Sequence, residues 1–107
     1  MIKILHTGDW HLDAPMHGRS IAQSQQLKKA FAELPYKVAE LCQRHQCDLL
    51  LLSGDIFDGN YTKESYQSLY GALESVNIPV IITPGNHDFV SPSSPWTGEL
   101  WPKNVHI

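Results

Sequence analysis

The fold is decided by residues 49–58, which read LLLLSGDIFD. Four consecutive leucines predict a strand that is covered on both faces, as in the middle of a parallel sheet. Gly54 then allows the chain to turn sharply, and Asp55 and Asp58 follow in the loop. In an open α/β sheet, binding residues come from loops at the carboxyl ends of the strands. This stretch therefore predicts a buried strand that leads into a functional loop.

Two further apolar runs end in the same way, at residues 2–7 (IKILHT) and 80–83 (VIIT). The polar side chains that follow them are Asp9, His11, Asn86, His87 and Asp88. Carboxylate, imidazole and amide groups are ligands for hard or borderline divalent cations. Taken singly, Asp9, Asp58 and Asn86 are also typical of ordinary turns. Together, the three clusters predict one site to which three loops contribute.

The segments between the strands have helical periodicity. Apolar positions recur three or four apart from about residue 20 to residue 45, and Pro35 within them predicts a kink or two helices joined end to end, with the kink favoured. A second helix is predicted from Thr62, a suitable N-cap residue, to Val76. A strand-like run at 105–107 follows. The β-α-β-α-β order predicts a mostly parallel α/β sheet with flanking helices.

Length and charge limit the classes of protein that fit. With 107 residues, 42% hydrophobic and 18% charged, the chain is expected to form one domain over 1–107. Its net charge of -3 is too negative for a protein that holds DNA by electrostatics alone, so phosphate affinity must come largely from bound cations. No signal peptide or membrane-spanning run is visible, which predicts a cytoplasmic protein without membrane contact.

Several other side chains are given structural roles. Cys42 and Cys47 have a spacing that fits no common zinc pattern, and we expect reduced thiols with Cys42 packed inside. Trp96 and Trp101 are expected to close their loop onto the sheet, with contact to substrate bases as the alternative.

The residues of the three clusters can be assigned separate roles at a site for two cations. Asp9 and His11 are two residues apart, a spacing that points both side chains the same way in extended chain. Asp55 has two oxygens and could bridge cations about 3.5–4 Å apart, as in dinuclear phosphoesterases. Asn86 offers a neutral oxygen to the second cation, and His87 is expected beside the bound phosphate.

The motifs Asp9-Trp10-His11, 54–58 (GDIFD) and 85–88 (GNHD) resemble the first three motifs of the calcineurin-like metallophosphoesterases. The wording of residues 6–12, HTGDWHL, is most similar to the Mre11 and SbcD branch of DNA-repair exonucleases. The resemblance implies that Asp9 and His11 bind the first metal, that Asp55 bridges, and that Asn86 binds the second. It also implies two divalent ions, most often Mn²⁺ in the nuclease branch.

The same resemblance assigns supporting roles. His87 would be the acid or phosphate-orienting group, Asp58 would accept its ring N–H, and Asp88 would support the site. The family fold is a two-sheet sandwich, of which this chain has the strands for roughly the first half. The family also completes its site with a later histidine and a Gly-His-x-His motif, and neither occurs here. We therefore expect the amino-terminal part of a longer nuclease, inactive by itself.

The predicted function is metal-dependent phosphodiester hydrolysis, with DNA as the substrate of a repair exonuclease or endonuclease. The alternatives are a phosphodiesterase or phosphatase for a small nucleotide or lipid, and a non-catalytic interaction module with the same fold. The predicted partners are DNA, an ATPase of the SbcC or Rad50 type, and a second copy of the protein. The helical stripe Tyr66, Leu69, Tyr70 and Leu73 is a candidate dimer contact, although core packing is the favoured use.

Overall fold

The computed structural model describes residues 1–13, 20–58, 61–86 and 88–107, and within these ranges the chain forms one parallel sheet with helices packed against it. The elements are β1 (Ile4–Thr7), α1 (Ile21–Arg44), β2 (Leu49–Ser53), α2 (Lys63–Val76), β3 (Val80–Thr83), α3 (Pro95–Gly98) and β4 (Val105–His106). The strands lie in the order β1-β2-β3-β4, and every neighbouring pair is parallel. The predicted α/β fold with flanking helices is confirmed.

Helix α1 begins at a capping box. The Ser20 hydroxyl accepts the N–H of Gln23 at 3.1 Å, and the Gln23 side chain accepts the N–H of Ser20 at 2.9 Å. This reciprocal pair satisfies two of the backbone donors that a helix start leaves without partners. Pro35 lies inside one continuous helix and is buried, so the alternative of two separate helices is wrong.

Helix α2 is capped by Thr62, as predicted, and its Oγ1 accepts the N–H of Ser65 at 3.1 Å. Asp13 adds a second anchor, because its Oδ2 accepts the Thr62 N–H at 2.9 Å and the Ser65 hydroxyl at 2.6 Å. The loop after β1 is thereby tied to the start of α2. Leu69 and Leu73 are fully buried in the core, which confirms core packing as the main use of this stripe.

Only one face of the sheet is covered by the described residues. Burial alternates along β2 and β3: Leu50, Leu52 and Ile82 are buried, whereas Ile81 is exposed. The prediction that β2 is covered on both faces is therefore wrong for this structure. Right-handed crossovers between strands in sequential order place successive helices on the same face. In agreement, α1 and α2 pack together over the buried positions.

Aromatic side chains pack the segment after β3 against the loop after β2. The Trp96 ring lies 5.5 Å from that of Phe57 and 5.3 Å from that of Trp101, between ring centroids. The indole N–H of Trp101 donates to the carbonyl oxygen of Pro95 at 3.0 Å. The predicted packing role of both tryptophans is confirmed. The short helix α3 was not predicted, although a proline in the first turn is a common helix start.

The two cysteines are reduced, as predicted. Both are free thiols, and Cys42 is buried in the core. Burial raises the pKa of Cys42 to about 11, with a further contribution from Cys47. A thiol with this pKa is a weak nucleophile at neutral pH, which fits a packing role. In the described residues, no helix combines the length and the hydropathy needed to cross a membrane.

Candidate metal centre

Three side chains from two loops meet at the carboxyl end of the sheet. Each of Asp9, His11 and Asp55 offers one ligand atom, and these atoms all lie within 4.8 Å of one another. Two carboxylates and an imidazole at this separation suit a divalent cation of the first transition row. We refer to these three residues as the candidate triad.

The two loops are held side by side by backbone hydrogen bonds. The N–H of Asp9 donates to the carbonyl oxygen of Gly54, and the N–H of His11 donates to that of Asp55, both at 2.9 Å. The pairing continues as a parallel bridge between Leu12 and Phe57. Since these bonds extend the register of β1 and β2, the sheet itself fixes the spacing of the triad.

All three triad residues have a left-handed backbone, with φ of 54° at Asp9, 51° at His11 and 53° at Asp55. The reasoning that an extended chain points Asp9 and His11 the same way is therefore wrong, although the two side chains do come together. Non-glycine residues adopt this conformation at a cost, and such residues are concentrated at functional sites. Here the backbone bonds between the loops hold the conformation in place.

Two glycines allow close approach around the triad. A Cβ atom on Gly8 would run into the carbonyl oxygen of Ser53 and lie 2.9 Å from its Oγ atom. A Cβ atom on Gly85 would lie 2.6 Å from the backbone nitrogen of Asp55 and also collide with the Asp55 carboxylate. The third loop, which carries Asn86, can therefore pass next to Asp55 only with glycine at position 85.

The imidazole of His11 is held by Asp58. Its Nδ1 atom lies 2.8 Å from Asp58 Oδ1, and this hydrogen bond is the main reason that the His11 pKa is raised above 6.5. Partial burial lowers the pKa, while the charges of Asp58, Asp55 and Asp9 raise it. In metal sites, an imidazole held by a carboxylate through one nitrogen binds the cation through the other. Asp58 is thus placed to orient His11.

Asp88 ties the third loop to the second. Its carboxylate accepts the backbone N–H groups of Gly85 (2.6 Å), Asp55 (3.2 Å), Ile56 (2.8 Å) and Phe57 (3.1 Å). The residue is only 3% exposed, and its carbonyl oxygen accepts the indole N–H of Trp96 at 2.6 Å. A buried carboxylate needs such donors, and hydrogen bonds to a charged group are stronger than neutral ones. Asp88 therefore fixes the backbone on which Asp55 is carried.

The remaining predicted residues are located as follows. Asn86 is exposed and follows Gly85, next to Asp55, so its role as a ligand of a second metal stays a prediction. His87 lies outside the described residues, and so does its predicted bond to Asp58. The anchoring by Asp13 was missed, and Asp88 was assigned only a general supporting role. Neither could be specified from the sequence, because burial and backbone partners are not visible there.

The chain belongs to the calcineurin-like phosphoesterase family, which it matches over residues 2–106. It is also similar to the SbcD subunit of the nuclease SbcCD from three bacteria. Identity is 34% over 92 residues for Staphylococcus saprophyticus subsp. saprophyticus, 32% over 92 residues for Staphylococcus epidermidis and 34% over 93 residues for Rhodobacter capsulatus. The predicted family is confirmed, as is the similarity to its SbcD branch.

The matched region covers 81% of this chain but only 22–23% of each of these relatives. The chain thus spans about a quarter of the length of the nucleases that it resembles. Activity, substrate and partners of a protein of that length are consequently matters of proposal here.

Proposed function

We propose that this chain is the metal-binding amino-terminal part of a phosphodiester hydrolase that acts as a DNA exonuclease or endonuclease in repair. The observation that carries the proposal is the candidate triad, which brings ligand atoms of Asp9, His11 and Asp55 within 4.8 Å of one another. Membership of the calcineurin-like phosphoesterase family and the similarity to the SbcD nucleases support it.

The residues would divide the work as follows. Asp9 and His11 would hold one divalent cation, Asn86 a second, and Asp55 would contact both, with Mn²⁺ as the expected metal. When bound, the cations would supply Lewis acidity that activates water and neutralises charge on the phosphoryl oxygens. Asp58 orients His11 at 2.8 Å. His87 would act on the substrate phosphate as the acid or orienting group.

The activity would belong to a longer protein. Four ligands shared between two cations leave both coordination shells incomplete, and the relatives are more than four times as long as the region matched. The remaining ligands would come from the part of such a protein that lies beyond these residues. By itself, the 107-residue chain would bind metal weakly and would not hydrolyse substrate.

The partners follow from the relatives. The name of the nuclease SbcCD implies a second component beside SbcD, and we propose an ATPase of the SbcC or Rad50 type as partner of the longer protein. DNA would be the substrate in a cytoplasmic repair complex. Self-association is also proposed, because one sheet face of this chain carries apolar side chains such as Ile4 and Ile81 that the described residues leave exposed.

The test uses the full-length parent protein with Mn²⁺ and compares double-stranded DNA, a cyclic nucleotide and a chromogenic phosphodiester. Cleavage of DNA is expected to be fastest and to be lost in Asp55→Asn. The matched control is Asp48→Asn, which alters an exposed carboxylate that accepts the N–H of Lys3 at 2.8 Å. Preference for the cyclic nucleotide would favour the small-molecule alternative. Intact DNA together with no Mn²⁺ binding would favour a non-catalytic module.

A further inference from the structure

The loop after the third motif exposes an aromatic side chain, that of Phe89. Phe89 is 62% exposed and is followed by Val90, which is 55% exposed. Phe89 is the most exposed of the ten aromatic residues of the chain, ahead of Tyr36 at 50%. Adjacent exposed apolar side chains offer a surface that a ligand or partner could cover.

This exposure does not come from a loosely held loop, because both flanks are anchored. On one side, the buried Asp88 carboxylate accepts four backbone N–H groups, and its carbonyl oxygen accepts the Trp96 indole N–H. On the other side, the carbonyl oxygen of Ser91 accepts the N–H and the hydroxyl of Ser94, at 3.1 and 3.0 Å. The backbone on both sides of Phe89 and Val90 is therefore held by hydrogen bonds.

The anchoring also sets the position of Phe89 relative to the metal site. Asp88, its immediate neighbour, bonds the backbone N–H of Asp55 at 3.2 Å. The backbone of Phe89 therefore lies at the same edge of the sheet as the candidate triad. Its neighbour Asp88 contacts the loop that carries Asp55. A substrate whose phosphate reached the triad would bring its neighbouring groups to this edge.

We infer that Phe89 is a stacking platform for a nucleobase that flanks the phosphodiester bound at the candidate triad. The inference rests on the proposed function and adds a contact that selects the substrate. The net charge of -3 gives the chain little electrostatic attraction for DNA, so a neutral stacking contact would add to the affinity that bound cations supply. Aromatic rings can stack on any base, so such a contact would add affinity without selecting a base sequence.

The experiment is an NMR titration of the 107-residue protein, in the presence of Mg²⁺, with a short oligothymidylate and with an abasic oligomer of the same length. The wild-type protein is expected to bind the oligothymidylate about tenfold more tightly than the abasic oligomer. Phe89→Ala should remove this preference, and Phe89→Trp should keep it. Leu100→Ala is the control, because Leu100 is an apolar side chain that is 83% exposed on a different loop, between α3 and β4.

The outcomes separate this inference from the proposed function. Equal binding of both oligomers, no binding of either, or a preference that survives Phe89→Ala overturns the stacking role. Mn²⁺ binding, measured independently by calorimetry, tests the metal site and should be the same in Phe89→Ala as in the wild type. The same substitution can be tested in the full-length parent protein. If Phe89→Ala keeps the fold and the metal affinity but slows cleavage of normal DNA and not of abasic DNA, the inference gains support. If Phe89→Ala weakened binding to a protein partner but not to the oligothymidylate, Phe89 would belong to a protein interface and the stacking inference would be overturned.

Discussion

The Nδ1 atom of His11 lies 2.8 Å from the Oδ1 atom of Asp58, a residue 47 positions later in the chain. The contact joins the loop after β1 to the loop after β2 and gives the imidazole a fixed orientation. It also links the protonation of His11 to the charge of the whole site, because the carboxylates of Asp58, Asp55 and Asp9 all favour the protonated ring.

The first prediction concerns the pH dependence of the site. In the metal-free protein the His11 pKa is expected above 6.5, and Asp58→Asn should lower it because the main cause of the shift is removed. The contribution of this pair to stability is then present below the unfolded pKa of about 6.5 and lost as pH rises through the folded value. NMR titration of the imidazole protons measures the shift, with His6, His45 and His106, which lie outside the candidate triad, as internal controls. An unchanged His11 titration in Asp58→Asn would contradict it.

The second prediction concerns competition between protons and metal at His11. A ligand imidazole must be neutral, so Mn²⁺ affinity should fall as pH drops through the raised His11 pKa. His11→Ala should reduce the affinity at every pH and remove this step from the profile. Calorimetric titrations at several pH values provide the measurement. A profile that is the same in both proteins would exclude His11 as a ligand.

The third prediction concerns the buried carboxylate of Asp88. Asp88→Ala leaves four backbone N–H groups without their acceptor, and the free energy of unfolding should fall by about 3 kcal/mol or more. Asp48→Ala is the matched control, since Asp48 is exposed and accepts the N–H of Lys3. Its cost should stay below about 1 kcal/mol. Urea denaturation measures both values, and equal losses would refute the anchoring role.

The fourth prediction tests the close approach at Gly85. In Gly85→Ala, the new methyl group would lie 2.6 Å from the Asp55 nitrogen, so the third loop must move away from the triad. Mn²⁺ affinity is expected to fall about tenfold, because ligand positions must be held to within fractions of an ångström. In Gly98→Ala the nearest atom is Tyr61 Oη at 3.8 Å, an ordinary contact, and affinity should not change. Wild-type affinity in Gly85→Ala would argue against this packing.

The elements of the fold were largely predictable from local sequence. Ser20 and Thr62 cap the helices because their hydroxyl groups can accept backbone N–H groups, a property that depends on a few neighbouring residues. The number of buried faces of β2 was not predictable, because a strand of four leucines is apolar on both faces whether or not both faces are packed. Helix α3 was missed because its segment is short and rich in proline and serine.

The sequence by itself determined which groups can bind metal and that they follow three strands, because residue type and apolar runs are local properties. Only the tertiary structure decided that Asp58 holds His11, that Asp88 anchors the backbone around Asp55, and that the triad has a left-handed backbone. These features depend on contacts between segments more than 30 residues apart, such as that of Asp55 with Asp88. Their geometry is set by the register of parallel strands, which no local pattern specifies.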